Sequence, residues 1–289
     1  MKYYNIYVVM VNYNTSDLTL SCIKSLKKST IPLKLIVVDN GSMFSEFCKL
    51  ANNENKNDYI LIKNINNGFS GGNNIGIKYA LDNDADFICI INNDTEASPS
   101  LFENMLMSCE PNTIIAPVIY YYDNRDVVWF GGGNINKWTG GAKHMFMGTN
   151  KIPSQDFYCT FATGCCWFMS ADIWQRIGML NEQYFMYCED TDYCLRLDDN
   201  KIKIKISINA KLWHKVSASS GGAITPFQTY YTTRNKLIYI YKFKKHFKFT
   251  AIPFTIFTKL IRAFQYFPGK INISKAYLKG IVDGLFNKY

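Results

Sequence analysis

CxxC motifs, a recognisable amino-terminal signal peptide and a GxGxxG motif are all missing from this 289-residue sequence. Its nine cysteines are odd in number and include no CxxC pair, which argues against a disulfide framework and against a zinc site. The stretch after Met1 is strand-like and too short for the apolar region of a signal peptide. We therefore expect a cytoplasmic protein with reduced thiols, several of them in the core.

Acidic residues are almost missing from the carboxyl-terminal part. Residues 1–200 contain 15 Lys/Arg and 22 Asp/Glu, a net charge of −7, whereas residues 201–289 contain 17 Lys/Arg and one acid, Asp283, a net charge of +16. This asymmetry predicts a polyanionic partner, either nucleic acid or an anionic membrane surface. The aromatics there lie in apolar company, as at residues 252–257, which favours a lipid interface and predicts no nucleic-acid partner. The alternative is a solvated cationic face on helices that pack against the rest of the chain.

Apolar runs long enough to cross a membrane are missing as well. The longest charge-free run near the carboxyl terminus, residues 249–258, has ten residues, and a spanning helix needs about 20. We therefore expect peripheral binding at the inner face of the cell membrane. The length and the hydrophobic content of 48% allow one large α/β domain with a small appendage.

Strand-like and helix-like segments alternate through the first 121 residues, which predicts a doubly wound nucleotide-binding half. The strand-like segments are residues 6–11, 33–38, 59–62, 87–91 and 113–121. Glycines at residues 66–76 precede and open a helix, where backbone amides can approach a phosphate. A dinucleotide site is disfavoured, because this segment follows the third strand and not the first.

The segment at residues 86–99 combines a buried-strand pattern with a cluster of oxygen-bearing side chains. Residues 87–91 are apolar and lead directly into Asn92, Asn93 and Asp94. Ligands of open α/β sheets bind at such carboxyl ends of strands. One carboxylate flanked by amides suits a hard divalent cation that shares its shell with substrate phosphates. An Asx-rich turn that caps the next helix is the alternative.

A second acidic cluster, at Glu189, Asp190 and Asp192, opens a predicted helix. Acids also stabilise a helix amino terminus through the macrodipole, which is the structural alternative. Glu189 and Asp192 share one helix face, so Asp190 points elsewhere and can face a substrate. The surrounding patterns predict a hairpin and loop at residues 127–141, a central strand at 161–169, a half-exposed edge strand at 201–208 and a mobile loop at 217–222. His214, beside Trp213, is either a packed histidine or a ligand.

The order of these motifs resembles that of the family 2 glycosyltransferases, especially the rhamnosyltransferase-like members of bacterial surface-polysaccharide clusters. The resemblance covers residue 5 to about residue 240, and rests on residues 11–14, 38–42, 67–73, 92–94, 163–164, 185–192 and 213–214. It implies a GT-A fold, an α/β architecture with a Rossmann-like mixed sheet flanked by helices. The implied division is a catalytic domain at 1–225, with a nucleotide-sugar half at 1–122 and an acceptor half at 123–225. A basic, amphipathic helical region follows at 226–289.

The resemblance also implies roles for particular residues in inverting transfer from a nucleotide-diphosphate sugar. Asp190 would be the general base, supported by Glu189 and Asp192, and a Mg²⁺ or Mn²⁺ ion would be bound by Asp94 and His214. The expected nucleotide-sugar contacts are Asn14, Asp39, Asn67, Gly68, Gly71, Asn73, Asn93 and Arg234. Two positions depart from the family pattern: Asn92 begins the DXD-type triplet, and Asn181 stands where the family usually has Asp.

The implied partners are a sugar nucleotide, such as dTDP-rhamnose or a UDP-hexose, and a hydroxyl of a glycan or lipid-linked oligosaccharide in O-antigen or capsule assembly. Two other classes stay open from the residues alone. A sugar-phosphate nucleotidyltransferase would need a basic, glycine-rich loop after the first strand, where this chain has residues 12–15, Asn-Tyr-Asn-Thr. A non-catalytic carbohydrate-binding protein would not need the acidic clusters.

Overall fold

A computed structural model describes residues 4–54, 59–216 and 224–286. The predicted loop at residues 217–222 lies outside these ranges. The strands are β1 (Ile6–Asn12), β2 (Lys34–Asn40), β3 (Ile60–Asn64), β4 (Phe87–Ile91), β5 (Thr95–Ala97), β6 (Thr113–Tyr121), β7 (Val128–Phe130), β8 (Gly133–Ile135), β9 (Ala142–His144), β10 (Phe157–Cys159), β11 (Cys166–Ser170) and β12 (Lys203–His214). The α-helices are α1 (Ser16–Leu26), α2 (Phe44–Glu54), α3 (Gly68–Asp82), α4 (Leu101–Met107), α5 (Ala171–Ile177), α6 (Glu189–Asp199), α7 (Pro226–Lys242), α8 (Ala251–Tyr266) and α9 (Ile271–Phe286).

Ten of these strands form one large mixed sheet with the order β10-β12-β6-β11-β4-β1-β2-β3, in which β5 also pairs with β12 and β7 with β6, whereas β8 and β9 form a separate two-stranded sheet. Strands β4, β1, β2 and β3 are mutually parallel, as expected of strands joined by helical crossovers. The central residues of β4, β1 and β2 are apolar and fully buried, as expected where helices cover both faces, whereas those of the edge strand β3 are partly buried. β11 runs antiparallel between β4 and β6. The predicted mixed sheet flanked by helices is confirmed.

Two predicted strands differ from the observed ones. The central strand begins at Cys166 instead of residue 161, because residues 163–165 leave the sheet: the Cys165 carbonyl accepts a hydrogen bond from Asn92 N–H at 2.8 Å. The strand predicted at the sheet edge is β12, which lies inside the sheet. β10 and β5 pair on its outer side and β6 on its inner side. Lysines alternate with apolar residues along β12 because one face of this strand is partly exposed to solvent.

Glycines of α3 allow the helix to lie close against β1. A Cβ atom added at Gly76 would come 2.3 Å from Val9 Cγ1, and one at Gly72 would come 2.9 Å from Val11 Cγ1. Real Cβ contacts are not this short, so no larger residue fits at either position without displacing β1. These two glycines therefore serve helix–sheet packing and lie within α3, not before it.

The carboxyl-terminal helices continue the folded unit. α7 contributes Ile238, Tyr239 and Ile240 to a buried cluster that also contains Tyr184 and Leu195. α8 and α9 pack on α7 and on each other. Within the described residues, no helix is both long enough and apolar enough to span a membrane. All nine cysteines have free thiols, five of them buried.

Candidate active site

Asp94 and His214 are brought together by the pairing of two short strand ends. Asp94 follows β4 and directly precedes β5, and Thr95 of β5 lies opposite His214 at the end of β12. The Asp94 Oδ1 atom is 3.1 Å from His214 Nε2, and both residues are more than 90% buried. The ring of Trp129 packs against the His214 imidazole with 4.5 Å between centroids.

The residues around this pair fit a divalent cation. The buried atoms Asn92 Oδ1 and His214 Nδ1 have no hydrogen-bond partner among the described residues, and the contact of Asp94 Oδ1 with His214 Nε2 does not have hydrogen-bond geometry, although buried polar atoms nearly always form such a bond. The described residues contain no cluster of three His, Cys, Asp or Glu side chains that would hold a metal ion by itself. A carboxylate and an imidazole suit an ion that completes its shell with water and substrate phosphate oxygens.

Asp39 and Asn93 are connected through a chain of buried hydrogen bonds. Asn12 Nδ2 donates to Asp39 Oδ2 at 2.8 Å, and Thr19 Oγ1 donates to Asn12 Oδ1 at 2.8 Å. Asn93 Nδ2 in turn donates to Thr19 Oγ1 at 2.8 Å. Asn14 lies beside this chain, and its Oδ1 atom accepts a hydrogen bond from Met43 N–H at 2.7 Å. The carboxyl ends of β1, β2 and β4 are thereby held in one arrangement.

The predicted glycine-rich contacts surround the amino terminus of α3. Gly68 N–H donates to Asn66 Oδ1 at 3.1 Å and Phe69 N–H donates to the Phe185 carbonyl at 2.6 Å. The first two amides of the helix are therefore occupied by protein groups and are not open to a phosphate. The side chain of Asn67 lies over Gly71, where an added Cβ would come 2.4 Å from Asn67 Cγ. Farther along the helix, Asn73 Nδ2 donates to the Phe69 carbonyl.

The acidic pair Glu189 and Asp190 opens α6. Asp190 Oδ1 accepts from Thr191 N–H at 2.7 Å, and its Oδ2 accepts from Gly164 N–H at 3.4 Å. Glu189 is buried, and its Oε2 atom has no hydrogen-bond partner. The two carboxyl groups thus have very different surroundings although they are adjacent in sequence.

This difference decides which carboxyl group holds the proton. Burial and, to a smaller extent, the charge of Asp190 together raise the pKa of Glu189 to about 8. Burial also raises the pKa of Asp190, but the N–H donors of Thr191 and Gly164 oppose the rise. When the pair carries one negative charge, the charge is therefore on Asp190 and the proton is on Glu189. Such a carboxylate is suited to act as a general base.

Asp192, the third predicted acid, has a different environment. It is fully buried and accepts hydrogen bonds from Lys242 at 2.7 Å, Arg196 at 3.2 Å and the Tyr184 hydroxyl at 3.3 Å. These contacts tie α6 to α7 and to the turn before α6. Asp192 therefore supports the position of the acidic pair and makes no contact with it.

The loop before α6 is held by Asn235 of α7, whose importance no local sequence pattern indicates. Asn235 Nδ2 donates to the carbonyls of Tyr184, Met186 and Tyr187 at 2.8–2.9 Å, and the residue is fully buried. The neighbouring Arg234 donates to the Gln183 carbonyl at 3.1 Å and to Asn235 Oδ1 at 2.9 Å. Arg234, predicted as a nucleotide-sugar contact, is thus bonded to this loop.

Asn74 is a second residue that the sequence patterns did not single out. It is buried, and its Nδ2 atom donates to the Leu180 carbonyl and to Glu182 Oε1, both at 2.9 Å. This connects α3 to the segment before the acidic pair. Asn181, which departs from the family pattern, accepts a hydrogen bond from Gln183 N–H and caps a short 3-10 turn. Asn can supply this bond as well as Asp can.

Residues 163–165 connect the two candidate centres. The Cys165 carbonyl accepts the Asn92 N–H at the end of β4, and Gly164 N–H points to Asp190. This segment therefore connects the end of β4, two residues before Asp94, with the start of α6.

Comparison with protein families identifies the fold and its chemistry. A family model described as glycosyl transferase family 2 matches residues 7–178. The chain belongs to this family. It is therefore a glycosyltransferase that uses a nucleotide-sugar donor, and the predicted family is confirmed.

Two curated relatives extend the likeness beyond the matched region. The glycosyltransferase is 27% identical to the dTDP-rhamnosyl transferase RfbF of Shigella flexneri, over 97% of this chain and 95% of the relative. It is 25% identical to the low-salt glycan biosynthesis hexosyltransferase Agl10 of Haloferax volcanii, over 80% of this chain and 74% of the relative.

Solved structures with low sequence identity share the fold. GalNAc-T7, crystallised with UDP, GalNAc and Mn²⁺, has a TM-score of 0.69 at 13% identity; the match covers 97% of this chain and 55% of that one. The mannosyltransferase PcManGT of Pyrobaculum calidifontis, in complex with GDP-Man and Mn²⁺, has a TM-score of 0.60 at 11% identity; the match covers 100% of this chain and 89% of that one. The predicted GT-A fold is confirmed.

The raised pKa of Glu189 predicts a pH-dependent stability. Between its ordinary value of 4.5 and about 8, the folded glycosyltransferase binds more protons at this site than the unfolded chain does. The free energy of unfolding should therefore fall as the pH rises from about 5 to 8. Glu189→Gln should remove this slope and be more stable than the wild type at pH 8 by at least ~1 kcal/mol. Urea unfolding at several pH values measures both effects.

The exposed acid Asp123 provides the matched control, because Asp123→Asn removes an acid from the surface. It should leave the slope unchanged. Equal slopes for the wild type and Glu189→Gln would contradict the assignment of the proton to Glu189.

Proposed function

We propose that this glycosyltransferase transfers rhamnose from dTDP-rhamnose, with inversion, to a hydroxyl of a lipid-linked glycan in bacterial O-antigen or capsule assembly. The observation that supports the transfer chemistry is that residues 163–165 connect Asp190 with Asn92, two residues before Asp94. The choice of donor is supported by the similarity to a dTDP-rhamnosyl transferase along nearly the whole chain. A UDP-hexose is the second donor candidate.

Inverting transfer is a single displacement at the anomeric carbon. The acceptor oxygen forms a bond to this carbon while the bond to the donor diphosphate breaks, and dTDP leaves. In our proposal Asp190 takes the acceptor proton, and the N–H groups of Thr191 and Gly164 hold its carboxylate in place. Glu189 keeps its own proton at neutral pH, so only one negative charge faces the acceptor.

In the same proposal the donor is bound mainly by residues of the donor half, together with His214 and Arg234. Asp94 and His214 would hold a Mg²⁺ or Mn²⁺ ion, which when bound supplies positive charge to the diphosphate leaving group. Asp39 would accept hydrogen bonds from the base or ribose. The other proposed nucleotide-sugar contacts are Asn14, Asn67, Gly68, Gly71, Asn73, Asn93 and Arg234. We also propose the division into a donor half at 1–122, an acceptor half at 123–225 and a carboxyl-terminal region at 226–289.

A donor panel and a base variant test the reaction. With Mn²⁺ present, dTDP-rhamnose should raise the melting temperature more than UDP-glucose or GDP-mannose does. Asp190→Asn should bind dTDP-rhamnose with a Kd within about twofold of the wild type, because a base acts only in the chemical step. Its turnover with lipid-linked acceptors extracted from bacterial membranes should fall at least ~100-fold.

Glu189→Gln is the companion variant and should lose much less turnover. An active Asp190→Asn enzyme together with an inactive Glu189→Gln enzyme would mean that the two acids exchange roles. If another sugar nucleotide raised the melting temperature more than dTDP-rhamnose does, that sugar nucleotide would replace dTDP-rhamnose as the proposed donor.

Metal removal tests the role of Asp94 and His214. EDTA should abolish transfer, and Asp94→Ala or His214→Gln should each weaken Mn²⁺-dependent dTDP-rhamnose binding at least ~10-fold, since each removes one ligand. Calorimetric titration with and without Mn²⁺ measures the loss. His144→Gln is the control, because His144 packs against the same Trp129 ring but has no proposed ligand role. Full activity in EDTA, with Asp94→Ala unaffected, would remove the metal from the mechanism.

The carboxyl-terminal helices support binding to an anionic membrane. Large hydrophobic side chains are exposed along α8 and α9: Phe254, Phe257, Leu260, Ile261, Phe264, Ile271, Leu278, Val282, Leu285 and Phe286. Arg262, Lys270 and Lys275 are exposed among them. A merely solvated cationic face would not need this apolar surface. Each cation near an anionic leaflet adds about 1 kcal/mol, and inserted aromatics add apolar burial.

Liposome co-sedimentation tests the membrane surface. The full-length protein should bind phosphatidylglycerol liposomes at low salt, and high salt should release much of it. Phe257→Ser/Phe264→Ser, which removes two side chains that are 64% and 80% exposed, should weaken binding at least ~10-fold. The control Phe44→Ser/Ile65→Ser, at residues 79% and 81% exposed in the donor half, should not. No binding at low salt, or equal effects of the two pairs, would overturn the assignment.

A further inference from the structure

The backbone of His214 is fixed from both sides by neighbouring strands. At the end of β12 this residue pairs with Thr95 of β5 and with Tyr121 of β6. Its carbonyl accepts a hydrogen bond from Tyr122 N–H at 3.0 Å. The position of its Cα atom therefore follows from the sheet, whereas the direction of the imidazole depends on the contacts that the ring itself makes.

The imidazole ring of His214 has few polar contacts that could hold it. A histidine that binds a metal through one ring nitrogen usually donates the other N–H to a carboxylate or a carbonyl, and this bond fixes the ring. His214 Nε2 lies 3.1 Å from Asp94 Oδ1, but the buried Nδ1 atom has no hydrogen-bond partner among the described residues. No described residue therefore makes the usual bond to the second nitrogen, and the ring depends on another contact for its orientation.

Trp129 makes such a contact with the ring. The centroids of the Trp129 and His214 rings are 4.5 Å apart and the ring planes meet at 67°, an edge-to-face arrangement. Aromatic rings favour this geometry, because the positive edge of one ring meets the negative face of the other. A rotation of the imidazole into another rotamer would break the contact, so the packing restricts the ring to one orientation.

Trp129 is itself held in place by its strand. It is the middle residue of β7, which pairs with β6, and its neighbours Val128 and Phe130 are fully buried. The Val128 N–H donates to the Thr149 carbonyl at 2.8 Å, and the Val128 carbonyl accepts a hydrogen bond from Gly148 N–H at 2.8 Å. The tryptophan ring is therefore a rigid surface for the imidazole to pack against.

We propose that Trp129 is a positioning residue for the metal ligand His214, and that it holds the imidazole in the orientation in which Nε2 faces Asp94. This proposal rests on the metal site proposed above and adds a residue that acts through His214 and not as a ligand. An imidazole without this contact would sample several rotamers and lose that freedom when the ion binds. The lost entropy would reduce the affinity for the metal.

Nuclear magnetic resonance of the imidazole groups tests the positioning in the full-length protein without any metal. The chain has three histidines, His144, His214 and His246, so ¹³C-labelled histidine gives three sets of ring signals, which the single His→Gln variants assign. Carbon relaxation should show a rigid His214 ring in the wild type and a mobile one in Trp129→Leu. If Trp129→Leu does not fold, Trp129→Met, with a longer apolar side chain, answers the same question.

His144 is the internal control for this measurement, because its ring also packs against Trp129, with 5.1 Å between centroids. Its Nδ1 atom lies 3.3 Å from the Trp129 carbonyl oxygen, a polar contact that His214 Nδ1 lacks among the described residues. The backbone keeps this contact in Trp129→Leu, so the His144 ring should stay rigid. A His214 ring as rigid in Trp129→Leu as in the wild type would overturn the proposal.

Titration with Mn²⁺ alone, followed by the electron paramagnetic resonance signal of the free ion, tests the consequence for binding. Trp129→Leu should weaken Mn²⁺ binding about 10-fold, whereas Trp129→Phe, which keeps an aromatic ring, should lose at most about threefold. Trp138→Leu is the control, since this tryptophan is 57% exposed, and it should bind like the wild type. In a His214→Gln background, Trp129→Leu should cause no further loss, because its effect passes through the imidazole.

The outcomes separate this role from simple packing and from a failure of the metal site. Lower melting temperatures of Trp129→Leu and Trp129→Phe, with unchanged Mn²⁺ affinity, would make Trp129 structural and overturn the proposal. An equal loss of Mn²⁺ affinity with and without His214→Gln would overturn it as well. If His214→Gln binds Mn²⁺ as tightly as the wild type, the metal assignment in the proposed function fails, and the ring mobility of His214 still decides whether Trp129 positions it.

Discussion

The three hydrogen bonds from the Asn235 carboxamide to the loop before α6 are the constraint on which the candidate site depends. Phe185, Tyr187 and Cys188 in this loop have φ angles of 58°, 69° and 71°, which non-glycine residues rarely adopt and which cost about 1–3 kcal/mol each. A single buried side chain on α7 binds the Tyr184, Met186 and Tyr187 carbonyls and so compensates for this strain. The Phe185 carbonyl also accepts the Phe69 N–H, so the donor half is fixed to the same loop.

Through these contacts α7 helps to position the acidic pair, although α7 begins the basic carboxyl-terminal region. α7 supplies Asn235 to the loop, Lys242 to Asp192 and apolar side chains to a cluster with Tyr184 and Leu195. Any displacement of α7 would move the start of α6, and with it Asp190. The basic region thus combines two tasks. Its inner faces position the acids, and its outer faces expose apolar residues.

The candidate site has two parts with different electrostatic requirements: one is proposed to bind a cation, and the other must keep a carboxylate charged so that it can act as a base. At the end of β4, Asp94 and the neighbouring His214 are the residues that we propose for a cation and a diphosphate. At the start of α6, burial keeps Glu189 protonated, so Asp190 can carry the negative charge that a base needs. Residues 163–165 lie between the two parts: the Cys165 carbonyl accepts the Asn92 N–H, and the Gly164 N–H donates to Asp190.

The sequence by itself determined the parallel strands and the positions of the acidic clusters. Uninterrupted apolar runs such as residues 87–91 require burial on both faces, and polar residues at their ends must then meet at one edge of the sheet. It also indicated the family, because the order of the motifs is specific. Only the tertiary structure decided that β12 lies inside the sheet, that Gly72 and Gly76 serve packing, and that Asn235 holds a loop 48–51 residues earlier in the chain. Such contacts depend on side chains that lie far apart in the chain and meet only in the folded protein. The burial that sets the protonation of Glu189 likewise exists only once the helices are packed.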